Sequence, residues 1–434
     1  MVIRESVALY RHLAQDCPAA ADLNFARPLD NLSKRLLAVG QQEDALAAIQ
    51  ESLMLHRQLA EEHPAAANPA LALSLVSLCA LLSDLRQHQA ALVAAQESVA
   101  LYRQLVMDCP AEFNQDLALS LNNLSIQLGS LGHLQEALVV IQESIALYRH
   151  LAADRPAAIN PSLSLSLGNL SNRLAALGQH EAALTAIQES VVLRRQLAEK
   201  RPAAFNHDLA HSVFILSTCM SDLGQPEGAL ATGQESVVLY RQLAEGRPAA
   251  FNPGLARSLS HLSTCLSDLG QREGALAAAQ EALALRRQLA ERSPAAFNPD
   301  VARSLINLSC RLLEQGQQAG ALAATRESVA LYRQLAEDYP AAYNPDLAQT
   351  LSNISIILSS LDRREEALAA AKEATKLFRP LAKALPAAFK SQLVWSLKTL
   401  STSLRNLGQE EAAAAAEQEA VTLDRSEGPV SECC

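Results

Sequence analysis

The sequence predicts an all-α protein, a right-handed α-α superhelical solenoid of about nine 46-residue helix-turn-helix repeats. One proline and one glutamate each recur every 46 residues without a single insertion, so every unit must pack on its neighbour in the same way. Within each interval the apolar residues are spaced by three and four, the period of an amphipathic helix. The repeated residues are Pro18, Pro64, Pro110, Pro156, Pro202, Pro248, Pro294, Pro340 and Pro386, and Glu5, Glu51, Glu97, Glu143, Glu189, Glu235, Glu281, Glu327, Glu373 and Glu419.

The first helix of each repeat is illustrated by the seventh copy. Asn298 and Pro299 predict its start, because asparagine is a favoured N-cap and proline is favoured at the first helical position. Gly316 predicts its end, as a residue in the left-handed conformation. Seven of nine copies have glycine at this place, and Arg86 and Asp362 are the exceptions.

The second helix of the same copy is predicted to run roughly from Gly320 to Asp338, because the residue before a proline is disfavoured in a helix. The segment PAAFN is predicted to link this helix to the next repeat, with its aromatic residue filling the seam between units. A glutamate and an arginine six residues apart, such as Glu235 and Arg241, recur in each copy and are interpreted as scaffold contacts.

Small residues decide which kind of helix-pair repeat this is. A period of 46 residues suits a HEAT or armadillo unit, or an enlarged tetratricopeptide unit. Serine in the middle of the first helix, alanine twelve residues later and a third small residue seven further on let paired helices approach closely. These offsets match the tetratricopeptide pattern. The copies of the serine, with one cysteine, are Ser33, Cys79, Ser125, Ser171, Ser217, Ser263, Ser309, Ser355 and Ser401.

Two segments carry a more specific resemblance. LNNLS at 121–125 and EALVVIQESIALYR at 136–149 resemble the long-period tetratricopeptide repeats of kinesin light chains. The resemblance implies that the first helices line a concave groove, and that a row of asparagines on them binds the backbone of an extended peptide. The chain has no heptad segment for a kinesin heavy chain and no visible catalytic domain, so neither role is carried over.

The predicted peptide-binding groove is the surface on which the internal copies differ most. An asparagine amide both donates and accepts, so a row of them suits a peptide backbone; bonding within the helix bundle or to water is the alternative. Arginines on the same face favour a partner with acidic residues, against a face that is simply solvated. The candidate residues are Asn31, Asn123, Asn169, Asn307, Asn353, Arg257, Arg303, His211, Phe214 and Trp395.

Composition and motifs exclude several classes of protein. The net charge of −10 and the pI near 5.5 argue against nucleic-acid binding. No apolar run is long enough for a membrane span, and the cysteines lack a disulfide framework, so a cytoplasmic location is expected. Phosphate-binding, zinc-protease and paired-cysteine motifs are absent. We expect no enzyme activity, no cofactor and no metal. The spacing of His207 and His211, with His261 in the next copy, is compatible with one metal ion, but no carboxylate or thiolate completes a set of ligands.

The organisation and function follow from the repeat. Residues 1–17 are expected to be a partial repeat (a second helix only), 18–425 the solenoid of nine units, and 426–434 a disordered tail. The sequence predicts a protein–protein interaction scaffold that binds an extended peptide or a partner protein. The alternatives are the sensor segment of a larger NTPase- or protease-type effector, with a missing domain or partner at residues 1–17, and a self-associating structural array. Cys433 and Cys434 resemble a lipidation signal.

Overall fold

A computed structural model describes residues 28–37 and 41–425 of the chain. Within those residues the protein is all-α, with 18 helices and no strand. The predicted fold class, an α-solenoid of tetratricopeptide-like helix pairs, is confirmed. The expectations for residues 1–17 and 426–434 lie outside the described residues.

The helices alternate between two kinds, here called A helices (which open a repeat) and B helices (which follow). The A helices are α1 (28–37), α3 (Pro64–Asp84), α5 (Pro110–Ser130), α7 (Pro156–Ala176), α9 (Pro202–Asp222), α11 (Pro248–Asp268), α13 (Pro294–Glu314), α15 (Pro340–Ser360) and α17 (Pro386–Arg405). The B helices are α2 (Gln42–Glu62), α4 (His88–Asp108), α6 (Leu134–Asp154), α8 (His180–Lys200), α10 (Pro226–Gly246), α12 (Arg272–Arg292), α14 (Gln318–Asp338), α16 (Arg364–Ala384) and α18 (Glu410–Arg425).

The chain divides into two compact units. Unit 1 is Met1–Leu223 and holds α1 to α9 of the described helices, and unit 2 is Gly224–Cys434 and holds α10 to α18. In each unit consecutive helices pack on one another, and the A helices of several successive repeats also touch. Short connections make neighbouring helices antiparallel. Each unit is therefore a stack of antiparallel helix pairs.

The start of the A helix was predicted wrongly. In the seventh copy α13 begins at Pro294 rather than at Asn298, and Pro299 lies inside the helix. Pro294 occupies the first helical position, where its missing N–H has no helical partner to lose. PAAFN is thus the first turn of the A helix and not a link. Two helices of 21 residues, a three-residue turn and one linking residue account for the period.

The turn between the A and B helices was predicted correctly. Gly132, Gly178 and Gly316 adopt positive φ values of 85°, 74° and 74°. The two non-glycine exceptions do the same, with φ of 57° at Arg86 and 58° at Asp362. Residues other than glycine rarely adopt this left-handed backbone conformation, which costs them roughly 1–2 kcal/mol. The geometry of the turn is therefore set by the repeat and not by the local residue.

Small residues let the A and B helices approach closely, and the hydroxyl groups of some of them also form hydrogen bonds between the helices. The alanine of each B helix, such as Ala137, is fully buried. The A-helix serine twelve residues before it donates a hydroxyl hydrogen bond to that alanine's carbonyl, at 2.9 Å for Ser125 and Ala137. A second serine, Ser144, donates at 2.7 Å to the carbonyl of Ala118 on the A helix. The first bond recurs at Ser33, Ser171, Ser309, Ser355 and Ser401, and the second at Ser98, Ser190 and Ser328.

The recurrent glutamate and arginine connect neighbouring repeats, which confirms their interpretation as scaffold contacts. Arg241 of α10 contacts Glu281 of α12 at 2.6 Å, so each arginine pairs with the glutamate forty residues ahead. These pairs are half exposed, and each contributes only about 0.2–1 kcal/mol. Among the described residues the others are Arg57–Glu97, Arg103–Glu143, Arg149–Glu189, Arg287–Glu327, Arg333–Glu373 and Arg379–Glu419.

One described helix, α3, is long and apolar enough to cross a membrane by length and composition alone. Leu71, Leu75 and Cys79 of this helix are buried in a core that also includes residues of α2, α4 and α5. The apolar composition of α3 is what a core helix of the stack requires.

Candidate functional site

The candidate site is the A-helix surface, defined as the side chains 9, 13 and 16 residues after the proline that opens each repeat. In the seventh copy these are Arg303, Asn307 and Cys310, of which Arg303 and Cys310 are exposed and Asn307 is half-buried. The flanking positions 7 and 10 hold Val301 and Ser304, both buried. The helix thus exposes position 9, whereas positions 7 and 10 beside it are buried in the packing between helices.

Position 9 of the A-helix surface varies along the chain while its neighbours do not. Position 7 is a buried leucine or valine and position 10 a buried serine or threonine in each described copy from the second to the ninth. Position 9 is exposed in four of these copies and half-buried in the other four. Its residues are Leu73, Leu119, Leu165 and His211 in unit 1, and Arg257, Arg303, Gln349 and Trp395 in unit 2.

The predicted row of asparagines lies where successive A helices meet, a boundary here called the A–A seam. Asn307 donates a hydrogen bond of 3.2 Å to the backbone carbonyl of Ser260 on the preceding A helix. Asn169 donates at 2.9 Å to the Oδ1 atom of Asn122. Both side chains are half-buried, as are Asn123 and Asn353, whereas Asn31 is exposed. Two of the five amides therefore make one scaffold bond each.

The remaining candidates divide by unit. In unit 2, Arg257 and Arg303 are exposed on the consecutive A helices α11 and α13, and Trp395 is half-buried on α17. The Nη1 atom of Arg303 lies 3.7 Å from Asp300, one turn earlier. In unit 1, the rings of His211 and Phe214 stack with centroids 6.5 Å apart.

No metal-binding cluster and no activated nucleophile is evident in the part of the chain that the structure describes. No group of three or more His, Cys, Asp or Glu residues there is arranged to hold a metal ion. Burial raises the pKa of the Cys79 thiol to about 12, which leaves it protonated and unreactive at neutral pH. Burial raises the pKa of Tyr148 to about 12 as well.

Comparison with known proteins agrees with this geometry. A family model described as tetratricopeptide repeat matches residues 117–155, 164–202, 255–295, 301–338 and 347–379. The matched repeats are of the tetratricopeptide type. Each matched stretch begins in an A helix and extends through most or all of the B helix that follows. A second model, anaphase-promoting complex subunit 5, matches residues 54–106, which lie over α2 to α4. No curated protein matches the sequence.

Two solved structures share the fold, and a third resembles this chain with a lower TM-score. The apo form of the quorum sensor NprR from B. thuringiensis is 12% identical with a TM-score of 0.54, over 89% of this chain and 98% of that one. A Rap protein complexed with competence and sporulation factor is 12% identical with a TM-score of 0.52, over 93% and 98%. A putative kinesin light chain from Podospora anserina is 20% identical with a TM-score of 0.40, over 51% and 96%. At these identities the likeness shows the fold alone.

The family defines the general class of this protein. It is a repeat scaffold of the kind that mediates protein interactions, a family and fold that are typically non-catalytic. A protein or a peptide is therefore the class of partner that the fold supports.

Proposed function

We propose that this protein binds an extended peptide segment of a partner protein on its A-helix surface, the side predicted to be the concave groove. The observation that carries the proposal is the contrast at position 9. Exposed side chains there change from leucine in unit 1 to arginine in unit 2, between positions 7 and 10, which stay buried and nearly constant. Packing explains the constant rows but not the variation at position 9, which recognition of a ligand would explain.

The charge of unit 2 supports a preference for acidic segments. Arg257 and Arg303 occupy position 9 on consecutive A helices and are both exposed. Neighbouring packed helices lie about 8–10 Å apart, so an extended peptide that rises about 3.3 Å per residue passes from one arginine to the next in roughly three residues. Carboxylates spaced by that interval would form charge-assisted hydrogen bonds with both guanidinium groups.

The asparagines are proposed to hold the peptide backbone beside these arginines. An asparagine amide has two N–H donors and an acceptor oxygen, and the bond from Asn307 to Ser260 uses one donor. The remaining donor and the oxygen suffice to pair with a peptide group. The scaffold bond also fixes the orientation of the side chain, which lowers the entropy cost of binding.

The experiment is a peptide-library screen on the intact protein and on two double variants, Arg257→Ala with Arg303→Ala, and Asn307→Ala with Asn353→Ala. Arg247→Ala with Arg292→Ala is the matched control, since it removes the same charge from exposed positions of unit 2 at the ends of B helices. We expect the arginine variant to lose acidic peptides and the asparagine variant to bind all captured peptides more weakly, with helicity unchanged by circular dichroism. Equal binding by all four proteins would contradict the proposal.

Self-association is a second candidate that one observation favours. The B helices of unit 1 carry exposed apolar side chains, with Val93 57% and Val139 61% exposed, and Met54 and Val192 exposed to a similar extent. Exposed apolar rows on a folded protein often mark an interaction surface. Light scattering tests this candidate: a monomer at every concentration contradicts it, and a dimer that Val93→Gln with Val139→Gln dissociates supports it.

A further inference from the structure

Two arginines at the same repeat position differ in how their charge is balanced. Arg173 on α7 and Arg311 on α13 both lie 17 residues after the proline that opens their repeat. Both side chains are half-buried, and both carry a buried Nε atom without a hydrogen-bond partner. The two sites are matched in backbone position and differ in the residues around them.

The α11–α13 seam supplies Arg311 with a carboxylate. The Nη1 atom of Arg311 lies 3.0 Å from Glu314, one turn later on α13. Ser267 of α11 donates a hydrogen bond of 2.8 Å to the same carboxylate and fixes it against the seam. Glu314 therefore offsets the guanidinium charge as an ion pair, although Nη1 makes no hydrogen bond to it.

The α5–α7 seam lacks both of these partners for Arg173. Alanine, Ala176, stands at the position equivalent to Glu314, and glycine, Gly129, at the position equivalent to Ser267. The guanidinium occupies the space beside that glycine, where an added Cβ atom would lie 1.5 Å from Nη1. Among the described residues no carboxylate forms an ion pair with Arg173.

The positive charge of Arg173 therefore lies in a partly buried environment that disfavours it. Burial lowers the pKa of Arg173, and no opposing charge offsets that effect. A partly buried charge without a partner destabilises a fold unless a ligand supplies the counter-charge. The glycine contributes by letting the guanidinium reach the backbone of α5.

We propose that a carboxylate of the bound partner pairs with Arg173 at the α5–α7 seam, as Glu314 pairs with Arg311 at the α11–α13 seam. This inference rests on the proposed function and adds to it a defined contact in unit 1. Asn169 lies one turn before Arg173 on α7 and bonds to Asn122 of α5, so both side chains face the same seam. An acidic residue of a peptide on the A-helix surface would meet an amide and a guanidinium together.

The test uses a fluorescein-labelled hexaglutamate peptide as the probe, with affinity measured by fluorescence anisotropy at low salt on the full chain. Ala176→Glu supplies Arg173 with its own carboxylate and is expected to weaken binding at least tenfold. Ala176→Gln has the same size without the charge, and is expected to stay within twofold of the unaltered protein. Equal affinities for the two variants would overturn the inference.

The reverse change is made in unit 2. Glu314→Ala leaves Arg311 without its carboxylate and is expected to strengthen hexaglutamate binding several-fold. Asp268→Ala is the matched control, because it removes the same charge at the equivalent position of α11, where Cys265 stands in place of the arginine. A gain that is the same for both variants would overturn the inference, since bulk charge would then explain it.

The two proposals fail in different ways. If Arg257→Ala with Arg303→Ala weakens binding while Ala176→Glu and Ala176→Gln are equal, the A-helix surface binds acidic peptides but Arg173 takes no part. If only the Ala176→Glu variant loses affinity, the contact at Arg173 stands and the preference proposed for unit 2 is wrong. Absence of hexaglutamate binding to every protein would contradict both. Circular dichroism shows in each case that the variants are folded.

Discussion

The two units of this protein have similar interiors and differ on their A-helix surface. At position 9, unit 1 has Leu73, Leu119 and Leu165, whereas unit 2 has Arg257 and Arg303 on its first two A helices. Beneath both surfaces lie the same buried alanines, the same serine hydroxyl bonds and the same arginine–glutamate pairs. Packing constrains the interior of a repeat closely, so variation accumulates on the row that packing leaves exposed.

The largest expected effect tests whether the interiors are equivalent. Tyr148 in unit 1 and Tyr332 in unit 2 occupy the same B-helix position, and each is 1% exposed. Replacing either by alanine removes a buried aromatic ring and is expected to cost about 3–5 kcal/mol. Urea unfolding followed by circular dichroism should show similar falls in midpoint for the two variants. A large effect in one unit and none in the other would break the comparison.

The next largest effect is expected from substitutions that make the A-helix surface of unit 1 resemble that of unit 2. Leu73→Arg with Leu165→Arg places two guanidinium groups at exposed position 9. We expect hexaglutamate to bind about three- to tenfold more tightly, since exposed charge pairs contribute roughly 0.2–1 kcal/mol each. Leu73→Gln with Leu165→Gln is the uncharged control. No gain over that control would show that position 9 of unit 1 does not contact the peptide.

A smaller effect concerns the turns. Arg86 in unit 1 has a φ of 57°, where glycine stands in most other copies. Arg86→Gly is expected to stabilise the protein by about 0.5–1 kcal/mol, because glycine adopts this conformation without steric cost. Asp362→Gly should gain less, since Asp362 also pairs with Arg364 at 2.6 Å. The midpoint of urea unfolding measures both changes, and a loss of stability in Arg86→Gly would contradict the assignment of strain.

The smallest expected effect is a pH dependence in unit 1. Burial, with a smaller contribution from Glu112, raises the pKa of Asp116 above its ordinary value of 3.8. The folded state then holds the proton more tightly, so this contribution to stability is full below the ordinary pKa and is lost as pH rises through the folded pKa. Asp116→Asn avoids that loss, and its thermal midpoint relative to the unaltered protein should rise between pH 3 and pH 7. A constant difference would contradict the burial of this charge.

Much of the fold follows from the sequence because it depends on local signals. The 46-residue period, the two helices and the left-handed turn at Gly316 were all predicted correctly. The start of α13 was not, because Asn298 and Pro299 form a typical start signal and Pro294 forms another five residues earlier. Only the packing of the first turn, where Phe297 is half-buried, favours the earlier start.

The contacts between repeats were harder to predict. Spacing within one copy gives no indication that Arg241 reaches Glu281 forty residues away, or that Asn307 bonds to the carbonyl of Ser260. Such pairs depend on how far each helix is rotated against its neighbour, which the hydrophobic period does not define. The structure shows that Gly129 lies beside Arg173, and that Ser267 bonds to the carboxylate paired with Arg311. Aligning the copies shows that Ala176 replaces the glutamate, but it does not show that Arg173 lies against the preceding A helix.

Hydrogen–deuterium exchange tests the central claim most directly, that the A helices carry the binding surface. A peptide from the library screen is added to the full chain, and backbone protection is compared between the A helices α11, α13 and α15 and the B helices α12, α14 and α16. We predict that added protection concentrates in the three A helices and disappears in the Arg257→Ala, Arg303→Ala variant. Protection concentrated in the B helices would contradict the account.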